Sequence, residues 1–146
     1  MKKRISIVSL KICKEKTIMY EPRNIHKAQD CYKLIYSLLG DCAKDNLIVI
    51  SLNPRNEPTS IEVCSVGTSD MALVQPREVF KSALLSNATR IIIAHNHPSG
   101  SVEPSDNDKK VTDLLNMAAQ ILNIPLLDHI IVGDDTYFSF AENDLI

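Results

Sequence analysis

The chain has no tryptophan, and only 5% of its 146 residues are aromatic, so any core must be mainly aliphatic. No apolar run approaches the ~18–20 residues that a membrane span requires, which leads us to expect a soluble protein without a membrane partner. Four cysteines, at 13, 31, 42 and 64, make no C-x-x-C pair and no close metal-ligand spacing. A redox motif and a zinc ribbon are thereby excluded, and reduced thiols in a cytoplasm are the expectation. The start "MKKRISIVSLKICK" has the basic opening of a secretory leader, but Lys11 breaks its apolar run and no small-residue cleavage site follows. Repeats, linkers and low-complexity segments are missing too. So are the H-x-E and P-C-x-x-C of a zinc deaminase and the H-E-x-x-H helix of a helical zinc protease.

What is present fits one globular domain over residues 1–146, with 45% apolar and 23% charged residues. Charge is uneven: residues 1–40 hold nine Lys/Arg against three Asp/Glu, while the remainder holds seven against fifteen. A basic end of this kind is either a solvated face or a surface for nucleic acid or another acidic partner.

Periodicity orders the elements. Arg4–Lys14 reads as a half-buried strand, with Ile18–Tyr20 able to pair back across "KEKT". Asn24 can cap a helix carrying Ile25, Ala28, Cys31, Tyr32, Ile35, Leu38 and Leu39, which Gly40 stops. These N-terminal strands and helix, residues 1–40, precede a core over 41–146. There "NLIVISL" (Asn46–Leu52) is a strand buried on both faces, and "NPRNEP" turns it into a second at Ser60–Val66. A helix begins near Pro76 with Val79, Ala83 and Leu84 on one side, and "RIIIA" (Arg90–Ala94) is a buried strand. Val111, Leu114, Leu115, Ala118, Ile121 and Leu122 mark an amphipathic helix. "LLDHIIVG" is the next strand, and "DDTYFSF" turns into a last one. Interleaved strands and helices predict a single layered α/β domain.

Chemistry gathers in "AHNHPSGSVEPSDND", Ala94 to Asp108. Alternation along a strand puts His95 and His97 on one side and Asn96 on the other. Two imidazoles on one face at the carboxyl end of a buried strand suit a divalent metal. Asp108, eleven residues beyond His97, can return across the bends of "PSG" and "EP". The set of two histidines and one carboxylate leaves a fourth tetrahedral position for water, as a catalytic zinc needs. Ser105 and Asp108 also form S-x-x-D ahead of a helix, a capping box that needs no metal. Capping and ligation can coexist.

His95, His97, Ser105 and Asp108 match H-x-H, seven residues, S-x-x-D, and in this the chain resembles the JAMM (MPN-plus, JAB) metalloproteases. "HNHPSG", preceded by "QPREVFKSAL" and followed by "LLDHIIVG" and "SFAE", is similar to the RadC-like branch, over roughly Asp41 to Ile146. The resemblance implies a cytidine-deaminase-like, three-layer α-β-α sandwich with a mixed sheet. It also implies one Zn2+ on His95, His97 and Asp108, with water as fourth ligand. Hydrolysis of a peptide or isopeptide bond in a protein or peptide substrate would follow, with Ser105 donating to the developing oxyanion.

The family's acid-base Glu stands just before the first core strand, and the apolar run places Asp45 there. Aspartate is one methylene shorter, and a carboxylate set back by more than ~1 Å can lose about a hundredfold in rate. Glu57 and Glu62 of the following hairpin are the alternative carboxylates, and loss of turnover with zinc retained is another reading. Asp128 and His129 take no ligand role from the resemblance, but alternation lets one of them reach the site as a hydrogen-bond partner. Asn96 and Ser99 shape the loop, and His26 belongs to the surface. A second class of function is a nucleic-acid-binding module associated with DNA repair, to which the RadC name has been attached. The basic first 40 residues support it. The helix-hairpin-helix segment that precedes this domain in longer RadC-like proteins is not among these residues.

Overall fold

A computed structural model describes residues 1–39, 46–65 and 71–146. The continuous apolar runs become the interior strands of a sheet. Asn46–Leu52 is β1 and Arg90–Asn96 is β3, each with its five central residues fully enclosed. Pro58–Ser65 (β2) folds back antiparallel on β1, Leu126–Val132 (β4) runs parallel to β3, and Tyr137–Ser139 (β5) is antiparallel to β4. β1 and β3 are themselves antiparallel, so the strand order is β2-β1-β3-β4-β5 in one mixed sheet.

Helices cover both faces, which is why the inner strands carry apolar residues at consecutive rather than alternate positions. On one face Leu47, Val49, Ile91 and Ile93 pack against α2 (Pro76–Leu85) and α3 (Asp106–Leu122). On the other, Ile48, Ile50, Ile92, Ala94 and Ile130 pack against α1 (Ala28–Leu39). The expected three-layer α/β sandwich with a mixed sheet is the observed architecture.

Several local expectations are corrected. Residues 1–20 form no strand, and Ile5, Ile7, Val8 and Leu10 lie exposed. Alternation is only half of what a strand needs; its N–H and C=O groups also need a neighbouring strand, and none among the described residues pairs with this segment. Ile18 and Tyr20 are the first residues to pack, against the α1 face. Asn24 does not cap α1 but donates its side-chain amide to the Arg55 carbonyl at 2.7 Å. Asp30, in the first turn of the helix, reaches back to accept from the preceding His26 and Lys27 amides at 3.1 and 3.3 Å.

In α2 the buried side is Val79, Phe80 and Ala83, and Leu84 is exposed. In α3 it is Asp108, Val111, Thr112, Leu115 and Ala119, while Leu114 and Ile121 face solvent. Asp108, Thr112, Leu115 and Ala119 recur at i, i+4, i+7 and i+11, a single line on the helix surface. Turning Asp108 inward therefore turns Leu114 and Ile121 outward. No helix among the described residues is long and apolar enough to cross a membrane.

Candidate metal centre

His95 is the penultimate residue of β3 and shares a face with Ile91 and Ile93, so it looks towards α3. His97 follows just past the strand end on the same side. Their Nε2 atoms are 3.0 Å apart, and the rings meet edge to face. The loop that returns the chain to α3 is pinned at two points. Gly100, at φ +76°, closes a turn back onto the His97 carbonyl. Gly133, after β4, lets Val102 approach so closely that a Cβ there would stand 2.7 Å from its Cγ1.

Asp108 completes the cluster from the first turn of α3, where the capping box is fully formed. The Asp108 amide donates to Ser105 Oγ at 3.1 Å, and the Ser105 amide donates to Asp108 Oδ2 at 2.7 Å. The same carboxylate lies 3.3 Å from His95 Nε2 through Oδ1 and 3.1 Å from His97 Nε2 through Oδ2. Capping and cluster formation do coexist: the cap holds the carboxylate in place for the histidines. His95 and Asp108 are almost wholly buried, whereas His97 keeps 20% of its side chain in solvent. Ser105 is exposed.

Burial alone would push the Asp108 carboxyl up. A proton on the His95 Nε2 that faces it, together with the Ser105 hydrogen bonds, outweighs burial and holds the group well below the usual carboxylate range; a metal ion in the cluster would take the place of that proton. The donor set fits a metal. His97 Nδ1 is 2.8 Å from the Ser101 carbonyl, which can only accept, so Nδ1 carries the proton and Nε2 presents a lone pair to the cluster. Ligand atoms about 2.0–2.1 Å from a tetrahedral zinc stand about 3.3 Å from one another. The separations of 3.0, 3.1 and 3.3 Å are close to that spacing. His95, His97 and Asp108 are the group among the described residues that could hold a metal ion.

A model of the RadC-like JAB domain matches residues 25–145. The chain belongs to the RadC-like JAB family. A UPF0758 protein of Pelodictyon phaeoclathratiforme is 46% identical over 132 residues, which is 88% of this chain and 60% of the relative. One from Clostridioides difficile is 50% identical over 103 residues, 70% of this chain and 44% of the relative. A third, from the archaeal species Methanosarcina mazei, is 39% identical over 131 residues, 89% of this chain and 57% of the relative. The chain thus spans between 44% and 60% of the length of these relatives.

Within this RadC-like JAB domain, Asp45 lies outside the described residues. Glu57 is at the wrong end of β1: Leu52 pairs with Pro58 and Arg90, whereas Leu47 pairs with His95. Its carboxylate is engaged by Arg23 at 2.6 Å and Asn53 at 2.7 Å. Glu62, opposite Val49, is on the same sheet face as His95 but two strands from β3. Its Oε2 is buried with no hydrogen-bond partner among the described residues. Asn96 accepts from the Asn46 amide at 3.4 Å, a contact between the ends of β3 and β1, Ser99 accepts from the Ser101 amide at 3.3 Å within the loop, and His26 is exposed.

Of the pair on β4, His129 reaches the centre and Asp128 does not. Register decides it, because His129 is aligned with Ile93 on the α3 face and Asp128 with Ile92 on the α1 face. His129 Nε2 is 2.8 Å from His95 Nδ1, and its Nδ1 is 2.6 Å from Thr112 Oγ1. Burial first, and then the neighbouring His95, hold the His129 imidazole well below its ordinary value. Thr112 went unnoticed in the sequence. Its signal was its place four residues after Asp108, one turn along the same helix line.

Proposed function

We propose that the chain is a zinc-dependent hydrolase of JAMM type that cleaves a peptide or isopeptide bond in a cytoplasmic protein or peptide substrate. The observation that carries the reading is the convergence of His95, His97 and Asp108 at the junction of β3 and α3. These three side chains would hold the ion, and two neutral imidazoles with one carboxylate leave room for a fourth ligand. Bound zinc supplies the Lewis acidity that makes hydroxide available near neutral pH.

The chain's own residues do the rest. Ser105 accepts the Asp108 amide within the capping box, and its hydroxyl hydrogen, which the box does not use, can be donated to an oxyanion developing beside the ion. The exposure of Ser105 and the 20% exposure of His97 give a substrate access to the side of the cluster away from the core. Asp45 is the carboxylate we assign to moving the proton from water to the leaving amine.

The test is metal content, by mass spectrometry, of the chelator-washed protein reconstituted with zinc, beside His97→Ala. About one zinc per chain, absent from the variant, is expected for a site of this donor set. Absence of zinc from both proteins overturns the reading. Should zinc bind, profiling of peptide and isopeptide substrates with Asp45→Glu as comparison separates a hydrolase from a zinc-stabilised domain without turnover. A second reading, nucleic-acid binding, has its own observation: Lys2, Lys3, Arg4, Lys11, Lys14 and Lys16 all lie on an exposed segment. DNA affinity falling steeply with salt would support it.

A further inference from the structure

We propose that Thr112 and His129 are positioning residues that lock His95 as its Nδ1–H tautomer, leaving Nε2 as a bare lone pair aimed at the metal. The inference rests on the metal site proposed above and follows from counting donors. Thr112 Oγ1 lies 2.7 Å from the Asp108 carbonyl oxygen, which can only accept, so the single hydroxyl hydrogen is committed there. The same oxygen is 2.6 Å from His129 Nδ1 and must therefore accept from it, which places the His129 proton on Nδ1.

A second proton on His129 would make a fully buried cation, stacked at 4.6 Å on Phe140 and facing a site built for another cation. Such a charge is costly without a paired anion, and no carboxylate among the described residues is hydrogen-bonded to this ring. His129 Nε2 is then an acceptor, and at 2.8 Å it takes the proton of His95 Nδ1. His95 has one nitrogen left. Nε2 points at His97 Nε2 and Asp108 Oδ1, at 3.0 and 3.3 Å.

The chain of hydrogen bonds closes on Asp108, whose backbone carbonyl anchors one end while its carboxylate meets the other. One helical turn thus supplies a ligand and sets the tautomer of a second ligand on a different strand. Metal-bound histidines usually donate their second nitrogen to a carboxylate, carbonyl or water. Here the acceptor is an uncharged imidazole backed by a hydroxyl, so Asp108 remains the one anion of the cluster among the described residues.

The experiment combines nitrogen-15 NMR of ring-labelled histidine in the metal-free 146-residue chain with zinc affinity by chelator competition. Wild type is expected to show His95 and His129 both protonated at Nδ1. Thr112→Val removes the acceptor, favours the Nε2–H form of His129, and so drives a proton onto His95 Nε2. Zinc should then bind about 10–100-fold more weakly, with Thr112→Ser restoring both affinity and tautomer. Wild-type His129 protonated at Nε2, or Thr112→Val binding zinc as wild type does, overturns the relay and leaves the metal site standing. Failure of wild type to bind zinc overturns both. If Thr112→Val does not fold, the wild-type spectrum decides alone.

Discussion

Asp128 and His129 are consecutive on β4, and both are buried, yet they belong to different faces and different kinds of network. Asp128, on the α1 face, accepts from Ser139 Oγ at 2.6 Å, the Ala141 amide at 3.0 Å and the His129 amide at 2.8 Å. All three partners are donors, the network ends at the carboxylate, and its effect is to fasten the chain after β5 over the sheet. Cys31 lies in the same layer, and burial first, then Asp128, push its thiol up, which keeps it protonated and unreactive. On the α3 face His129 gives at one nitrogen and accepts at the other, so it passes orientation on to His95. Burial does not separate structure from function here; the direction of the hydrogen bonds does.

Substitutions on the two faces should break different properties. Asp108→Ala carries the largest expected effect, abolishing zinc binding in the competition assay. It also removes one arm of the α3 cap, and loss of a cap costs about 1 kcal/mol in denaturant titrations. Zinc retained at wild-type affinity in this variant would sink the assignment of Asp108 as a ligand. Asp128→Ala is expected to do the reverse. Losing hydrogen bonds to a buried carboxylate, with the Ser139 and Ala141 donors left behind, should destabilise the fold by about 2–3 kcal/mol. Zinc affinity measured on the fraction that remains folded should not change, and a parallel loss of affinity would show that the faces are coupled.

The same neighbours should tilt stability against pH in opposite directions. Burial, the largest influence, raises the Asp128 carboxyl despite its three hydrogen bonds. The folded state therefore binds that proton more tightly, and the contribution is present below the ordinary carboxylate value of about 3.9 and lost as pH rises through the raised one. His129 is lowered, so its contribution is present above the ordinary imidazole value of about 6.5 and lost as pH falls below it. Urea titrations of metal-free protein across this range should show Asp128→Asn removing the loss of stability that sets in as pH rises above about 3.9, and His129→Gln flattening the decline below about pH 6.5. A His129→Gln variant that keeps the full decline would place the responsible group elsewhere.

The local half of the site was legible in the sequence, and the long-range half was not. H-x-H at a strand end and S-x-x-D at a helix start are short patterns whose geometry follows from strand alternation and helix capping, and both form as read. The relay depends on the parallel register that sets His129 beside Ile93, and register between strands 34 residues apart is not written in either strand. Asp45 remains a sequence assignment, outside the described residues. The N-terminal strand failed for the same reason as the relay was missed: pattern proposes a strand, but only a partner makes one. α3 shows a subtler case. Its apolar residues spread around more than one face, and a polar residue, Asp108, decided which face turned inward.

That last point yields the smallest predicted effect. Leu115 and Ile121 are both apolar residues of α3 that periodicity alone places in the core. Leu115 is fully enclosed, and Leu115→Ala should cost about 2–5 kcal/mol through lost contacts and the cavity left behind. Ile121 is 85% exposed, and Ile121→Ser should stay within about 0.5 kcal/mol of wild type in the same titration. Zinc affinity should be untouched, since the residue lies more than three turns along α3 from Asp108. A loss of 2 kcal/mol or more at Ile121, of the size expected from burial, would mean that this face of α3 is covered in solution. The inward rotation set by Asp108 would then not be the whole reason for its exposure.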